Sequence, residues 1–412
     1  MSAGHAHGDA PLLQVPEATN RWLAVVAGVL AVLTLGGMVV LWPSGDGVRD
    51  VRRTIAGSFD SPLSARLLDA RLEAIEEIPC PGGGLDADAI EPVCGTITVV
   101  PSEGPDAGQP VRIDDYDLAR TGYEVGETLV LSYNEEAELG FQYQVADRQR
   151  TPVLLWLAVL FAVAVVVLGR LRGLAALGGL ALTLVILLVF TVPALLEGTS
   201  PVAVALVTSS AIAFCAIYLA HGPTAMSTVA LLGTLASLAL TVALSSVFVD
   251  LARINLLFSE EAAYLRLGDA SVDLRGLFLA GVIIGALGAL DDMTVTQASA
   301  VWELRAANRD LGLRQLYAAG IRIGRDHVAS TVNTLVLAYA GASMPLLLLF
   351  AVLDQPLLDV ANGELVAAEI VRTLLGSIGL VAAVPLTTWL AAVTVLRGPV
   401  PDDDVLEPPP PV

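Results

Sequence analysis

Eight long apolar runs decide what this chain can fold into. A helix needs about 20 apolar residues to cross the roughly 30 Å hydrocarbon core of a bilayer, and each run approaches or exceeds that length. We therefore predict an α-helical polytopic membrane protein with about eight transmembrane helices. The runs cover residues 22–42, 153–169, 174–196, 201–220, 224–249, 276–296, 329–353 and 370–396.

The composition supports helices in lipid and excludes other classes. The chain is 55% hydrophobic and only 16% charged, and its mean hydropathy is +0.71. The apolar residues do not alternate with polar ones, as the strands of an outer-membrane barrel require. The net charge of −20 disfavours nucleic acid as a partner. No cofactor is predicted, and the lipid bilayer is the one certain partner.

A polar segment separates the first two apolar runs and predicts a small β-rich domain. Its short β-branched and aromatic runs are "CGTITVVP", "PVRIDD", "YEVGETLVLSY" and "GFQYQVAD", with "VGE" predicting a tight turn before a strand. Upstream of them, "SARLLDARLEAIEEI" has helical spacing and predicts a helix.

The predicted organisation therefore has five parts. They are an N-terminal cytoplasmic tail, a membrane anchor helix, the β-rich domain, a seven-helix membrane domain and a disordered acidic, proline-rich tail, at residues 1–21, 22–42, 43–151, 152–396 and 397–412.

Arginine placement predicts the orientation, because short cytoplasmic loops carry an excess of basic residues. The connections after the second and sixth runs contain arginines, at Arg170, Arg172, Arg305, Arg309, Arg314, Arg322 and Arg325. We expect both termini to be cytoplasmic, with the β-rich domain on the outer side of the cytoplasmic membrane. Cys80 and Cys94 would then lie in an oxidising compartment, either as a disulfide or as two free thiols.

A polar stripe marks the sixth run, in which two carboxylates follow a series of glycines. At 100° per residue, the stripe falls within an arc of about 80° and includes Gly281, Gly285, Gly288, Asp292 and Thr296. The glycines predict close packing of another helix, and the polar residues predict a contact with protein or a water-filled cavity. The neighbouring Asp291 lies about 100° away from this stripe.

A second polar set follows at the start of the seventh run, with Asp326, His327 and Asn333, and His221 lies in the turn between the fourth and fifth runs. The predicted depths of these residues match that of the Asp pair, so all could converge on one inner-leaflet polar site for a cation.

Each member of this set also has a simpler interpretation. The Asp pair could mark a helix end in interfacial water, Asp326 and His327 an N-terminal cap, His221 a hydrogen-bonded turn, and Asn333 a contact between helices. The identity of any bound metal stays open.

Three functions follow from these residues. The leading hypothesis is a permease-like transporter of a proton, metal cation or small solute. The alternative is a non-transporting scaffold or sensor whose outer domain binds a partner. A third option, an intramembrane hydrolase using Asp292 and Asp326, lacks the usual motifs, so we expect no enzyme activity. A homo-oligomer is compatible with all three.

Three blocks closely resemble signature blocks of the YibE/F family of bacterial polytopic membrane proteins. They are "GALGALDDMTVTQASAVWEL", "GRDHVASTVNTLVLAYAGASMPLLLLF" and "EIVRTLLGSIGLVAAVPLTT". The resemblance extends over residues 95–396 and favours Asp292 over Asp291 as the matching position. It implies an N-terminal anchor, a β-rich outer region and a cluster of seven spans, and it implies no particular site residues.

Overall fold

The computed structural model describes two compact units, residues 49–164 and residues 1–48 with 165–412. Most of the predicted N-terminal tail and nearly all of the predicted C-terminal tail lie outside the described residues. Those described are 15–45, 49, 66–78, 94–115, 121–135, 137–138, 140–255, 273–352 and 356–397.

The smaller unit contains a five-stranded antiparallel sheet with the order β3-β2-β1-β4-β5. This sheet confirms the prediction of a β-rich domain, and four of its strands coincide with the four predicted runs. The strands are β1 Arg66–Ile78, β2 Cys94–Pro101, β3 Val111–Asp115, β4 Thr128–Tyr133 and β5 Tyr143–Arg148.

One face of the sheet forms the core of this unit. The edge strands β3 and β5 approach each other, so the sheet curls into a half-barrel around the apolar side chains. The predicted tight turn precedes β4, where Gly126 has a φ of 96° and donates from its N–H to the Leu72 carbonyl at 2.7 Å. The buried side chains are Leu68, Ala70, Leu72, Ile97, Val99, Ile113, Leu129, Leu131 and Tyr143.

The helix predicted from "SARLLDARLEAIEEI" is wrong, because residues 66–78 form the central strand β1. Leu68, Ala70 and Leu72 alternate into the core, which is the two-residue period of a strand. The pairing register with β2 then shifts between Leu72 and Ala74, so that Ile75 packs against the core. The bulge therefore spaces Leu68, Leu72 and Ile75 four and three residues apart, as a helix would.

Cys94 opens β2 and is disulfide-bonded. Its predicted partner, Cys80, lies outside the described residues. Cys215 in the membrane unit is a free thiol.

Substitution of Ala70 by Asp tests the strand directly. Ala70 is 1% exposed, so an unpaired charge there should cost at least about 2 kcal/mol. Arg71→Asp, at the adjacent exposed position, should have little effect. The measurement is protease resistance of the β-rich unit in the full-length membrane protein. In a helix Ala70 would lie opposite Leu68 and tolerate the charge, so equal resistance of both variants would contradict the strand.

Helices make up the described part of the membrane unit, and the second of them begins within the last residues of the β-rich unit. A π-helical turn at Leu187–Thr191 joins the second and third helices. The helices are α1 Glu17–Val40, α2 Thr151–Ile186, α3 Val192–Leu196, α4 Pro201–His221, α5 Ala225–Leu251, α6 Leu274–Ala307, α7 Leu313–Ala342, α8 Met344–Val352, α9 Leu357–Asn362 and α10 Glu364–Leu396.

Six helical stretches among the described residues are long and apolar enough to cross a membrane, or seven if α7 and α8, bent by 60°, form one span. This fits a multi-pass membrane protein. The predicted count of eight treats Thr151–Leu196 as two spans. Within that 46-residue stretch, Arg170 has the non-helical angles φ 51° and ψ −129°, which breaks the helix at the predicted boundary "GRLRG".

The sixth apolar run forms the centre of the bundle. α6 packs against α4, α5, α7 and α10, and its buried side chains contribute to several apolar clusters of this unit. By contrast, most Leu and Val side chains of α2 are exposed, as expected for a helix surrounded by lipid.

Candidate functional site

Gln297 on α6 joins three helices in the interior of the bundle. Its side chain is 1% exposed. The amide donates to the Gly320 carbonyl of α7 at 2.7 Å and to Thr388 Oγ1 of α10 at 2.8 Å. Because lipid offers no alternative hydrogen-bond partner, such a buried amide stabilises one arrangement of its neighbours.

Glycines on the neighbouring helices make this approach possible. A Cβ atom at Gly320 would lie 2.7 Å from Thr388 Cγ2, and one at Gly324 would lie 2.8 Å from Gln297 Oε1. Between α5 and α10, Gly233 lies directly against Thr387 and Gly379 against Thr241. These contacts put α5 and α10 antiparallel and place small residues where the backbones approach most closely.

Hydroxyl groups complete the polar interior. The Thr234 and Thr294 hydroxyls lie 2.6 Å apart between α5 and α6, and those of Thr191 and Thr208 lie 2.7 Å apart beside α4. Other fully buried hydroxyls have no hydrogen-bond partner in the described part of the chain, namely those of Ser209, Ser237, Ser245 and Thr387.

Sequence reasoning missed this set, although its pattern was visible. Gly233, Ser237, Thr241 and Ser245 are spaced four residues apart along α5, which puts them on one face.

Asp291 and Asp292 occupy different environments on α6. Asp292 is exposed, whereas Asp291 is half-buried. Its Oδ1 atom is buried and accepts no hydrogen bond from the described residues. Asp291 also forms no ion pair with them. The structure therefore places Asp291, rather than Asp292, against the bundle interior.

The predicted stripe of α6 does share one face, and that face is open. Gly281, Gly285, Gly288 and Asp292 are exposed, and Thr296 is half-buried. A Cβ atom at Gly281 or Gly288 would meet nothing within 4 Å, and one at Gly285 would meet only Tyr339 Oη at 3.5 Å. The described part of this chain thus supplies no closely packed helix there.

The second polar set lies on α7 away from the bundle. Asp326, His327 and Asn333 are all exposed. The cap interpretation of Asp326 and His327 is wrong, because α7 begins at Leu313 after an N-cap at Gly312. The aspartate and the histidine therefore lie in mid-helix, where backbone N–H groups already have partners.

His221 is exposed as the last residue of α4. Among the described residues, no three His, Cys, Asp or Glu side chains come together as a metal site would require. Near the start of α10, Arg372 forms a local ion pair, in which its Nη1 lies 2.9 Å from Glu369 Oε1.

These features define a class of protein: a multi-pass membrane protein whose central helix carries a half-buried carboxylate and whose interior contains closely packed glycines and buried hydroxyls. A family model described as YibE/F-like protein matches residues 157–397, more than half of the chain. The chain therefore belongs to the YibE/F-like family, as its signature blocks predicted. Neither a curated protein nor a solved structure matches it.

Two glycine-to-alanine substitutions separate the packed glycines from the open ones. Gly324→Ala should lower the free energy of unfolding by roughly 1–3 kcal/mol through overpacking against Gln297 and Val384. Gly288→Ala meets open space and should be neutral or stabilising by up to about 1 kcal/mol. Melting temperatures of the purified full-length variants measure both effects. Equal melting temperatures would contradict the packing described for α7.

Proposed function

We propose that this protein is a permease-like transporter that moves a proton or a small cation, with Asp291 as the group that carries the charge. The single observation behind this proposal is the buried, unpartnered Asp291 Oδ1 on the central helix. A carboxylate inside a membrane protein is costly unless an opposite charge or hydrogen-bond donors compensate it. The described residues offer neither, which favours a proton or a transported cation as the compensating species.

The unpartnered hydroxyls support a polar route through the bundle. They belong to α4, α5 and α10, the helices that pack around α6. Each hydroxyl can both donate and accept a hydrogen bond, so a series of them suits a proton or a cation that prefers oxygen ligands. Because no three potential metal ligands cluster among the described residues, a multidentate transition-metal site is the less favoured version.

The proposal includes no catalytic step. A hydrolase of the aspartyl type would need two carboxylates from separate helices facing each other, and the expected pair, Asp292 and Asp326, is exposed on both helices. The sequence contains no nucleotide-binding P-loop motif. Transport would therefore be driven by a gradient or be passive.

The proposed topology has eight spans, which the connections within the membrane unit support. Just after α1, Gly45 N–H donates to Glu197 Oε1 at 2.7 Å. The helical segment 171–196 leads to Glu197 and is about 39 Å long. Residues 45 and 171 lie at opposite ends of this helical segment, which favours a return of the chain between them across the membrane. The predicted second span, 153–169, supplies that crossing.

The proposed orientation puts both termini in the cytoplasm of a bacterial cell. Pro201 lies 2.8 Å from the position of a Cβ at Gly276, so α4 and α6 start at the same end of the bundle. Arg305 and Arg314 then lie at the other end, where the positive-inside rule puts the cytoplasm. The β-rich domain would lie outside.

Asp291→Asn and Asp292→Asn form a matched pair that tests transport. The full-length protein is reconstituted into phospholipid vesicles, and proton, Na⁺ and K⁺ fluxes are measured under an imposed gradient with trapped indicator dyes. Asp291→Asn should reduce the flux roughly tenfold or more, because the amide cannot carry the charge. Asp292→Asn should keep at least about half of it. Wild-type flux no greater than that of empty vesicles, or equal flux in both variants, would contradict the proposal.

Cysteine accessibility tests the eight-span topology. Gly169→Cys, next to the break in α2, and Gln109→Cys, in the β-rich unit, should be labelled by a membrane-impermeant maleimide from opposite sides of the membrane. The parent protein provides the background for its native cysteines. Labelling of both added thiols from the same side would contradict a membrane span at residues 153–169.

A further inference from the structure

The outer face of α7 is polar where the membrane would require an apolar surface. Asp326, Ser330, Asn333, Leu337 and Gly341 fall on one side of the helix, within an arc of about 80°, and all five are exposed. The opposite side of α7 contacts the bundle through Val328, Val332 and Leu335. We term the five exposed residues the α7 outer stripe.

The depth of Asn333 makes this exposure significant. Contacts of Gly324 with Gln297 and of Tyr339 with Gly285 put α7 antiparallel to α6. Asn333 therefore lies close to the level of Gly288, near the middle of the bundle. Its amide makes no hydrogen bond with the described residues. Exposure of an amide to hydrocarbon at this depth is energetically unfavourable. Lipid is therefore an unfavourable neighbour for the α7 outer stripe.

We infer that a second copy of this chain covers the α7 outer stripe, with the two α7 helices parallel about a two-fold axis along the membrane normal. A symmetric interface requires a self-complementary surface, because each position meets the same position on the other copy. An amide side chain satisfies this requirement, since it both donates and accepts a hydrogen bond. Asn333 of one copy can therefore pair with Asn333 of the other.

The spacing and charge of α7 fit this arrangement. Successive stripe residues are four, three, four and four positions apart, close to the spacing of two helices that pack along a seam. Gly341 has open space around it, so the backbones can approach closely at that end. At the other end Arg325 and Asp326 are adjacent, exposed and without an ion pair in the described part of the chain. About a two-fold axis, each arginine can reach the aspartate of the other copy.

Two segments of this chain outside the described residues are less suited than a second copy to cover the α7 outer stripe. The tail after residue 397 is rich in proline and aspartate, and residues 256–272 contain four charged side chains. Neither composition suits a position beside Asn333 at the middle of a membrane.

Single cysteines on the two sides of α7 test the inference in native membranes. Under mild oxidation, Asn333→Cys and Leu337→Cys should each give a crosslinked product of twice the chain mass. Leu335→Cys, in the same helix but on the side packed against the bundle, should stay at the background of the parent protein. Equal crosslinking at Leu335, no crosslinking at either stripe position, or a product of another mass would overturn the inference.

The substitution Asn333→Leu distinguishes a stripe covered by a second copy from a stripe that faces lipid. If another copy covers the stripe, loss of the amide should reduce the dimeric fraction in lipid nanodiscs at least threefold, as measured by mass photometry. If the stripe faces lipid, leucine should leave the oligomeric state unchanged and raise the melting temperature. The second result, or a wild-type protein that is monomeric in nanodiscs, would overturn the inference.

Discussion

The arrangement of the membrane unit depends on the two hydrogen bonds that the Gln297 amide donates. In water an amide has many partners, so such bonds would stabilise a fold only modestly. In a bilayer the amide has to be satisfied by protein, and here it is satisfied by one backbone carbonyl and one hydroxyl on two different helices. The glycines of α7 follow from this requirement, because a side chain at Gly320 or Gly324 would occupy the space that the amide needs. One polar side chain thus accounts for the close approach of α7 and α10 to α6.

The membrane spans could be predicted from the sequence because lipid imposes a length and a composition on each span independently of its neighbours. Strands β2 to β5 could be predicted because β-branched residues and turn glycines mark them locally. Strand β1 could not, since its bulge spaces Leu68, Leu72 and Ile75 as a helix would. Only pairing with β2 and β4 distinguishes the two, and that pairing involves residues distant along the chain.

The candidate site, too, could be predicted from the sequence only in part. Helical spacing predicted which residues of α6 share a face, and Gly281, Gly285, Gly288 and Asp292 do share one. Spacing does not determine whether a face is packed or open, because that depends on where the neighbouring helices lie. For this reason the glycines with close contacts, Gly233, Gly320, Gly324 and Gly379, were not among the predicted ones. The same limit applies to the Asp pair, in which the structure rather than the spacing identifies Asp291 as the half-buried carboxylate.

Polar groups of the membrane unit fall into three kinds, and the distinction connects the two proposals. Gln297 and the paired threonines are satisfied within the bundle, so they account for packing alone. The Asp291 Oδ1 atom is buried without a partner in the described part of the chain, and a mobile species such as a proton or a cation can compensate its charge. Asn333 lies on the outside without a partner, where a fixed neighbour can satisfy it. The unsatisfied group inside therefore fits transport, and the unsatisfied group outside fits association between copies.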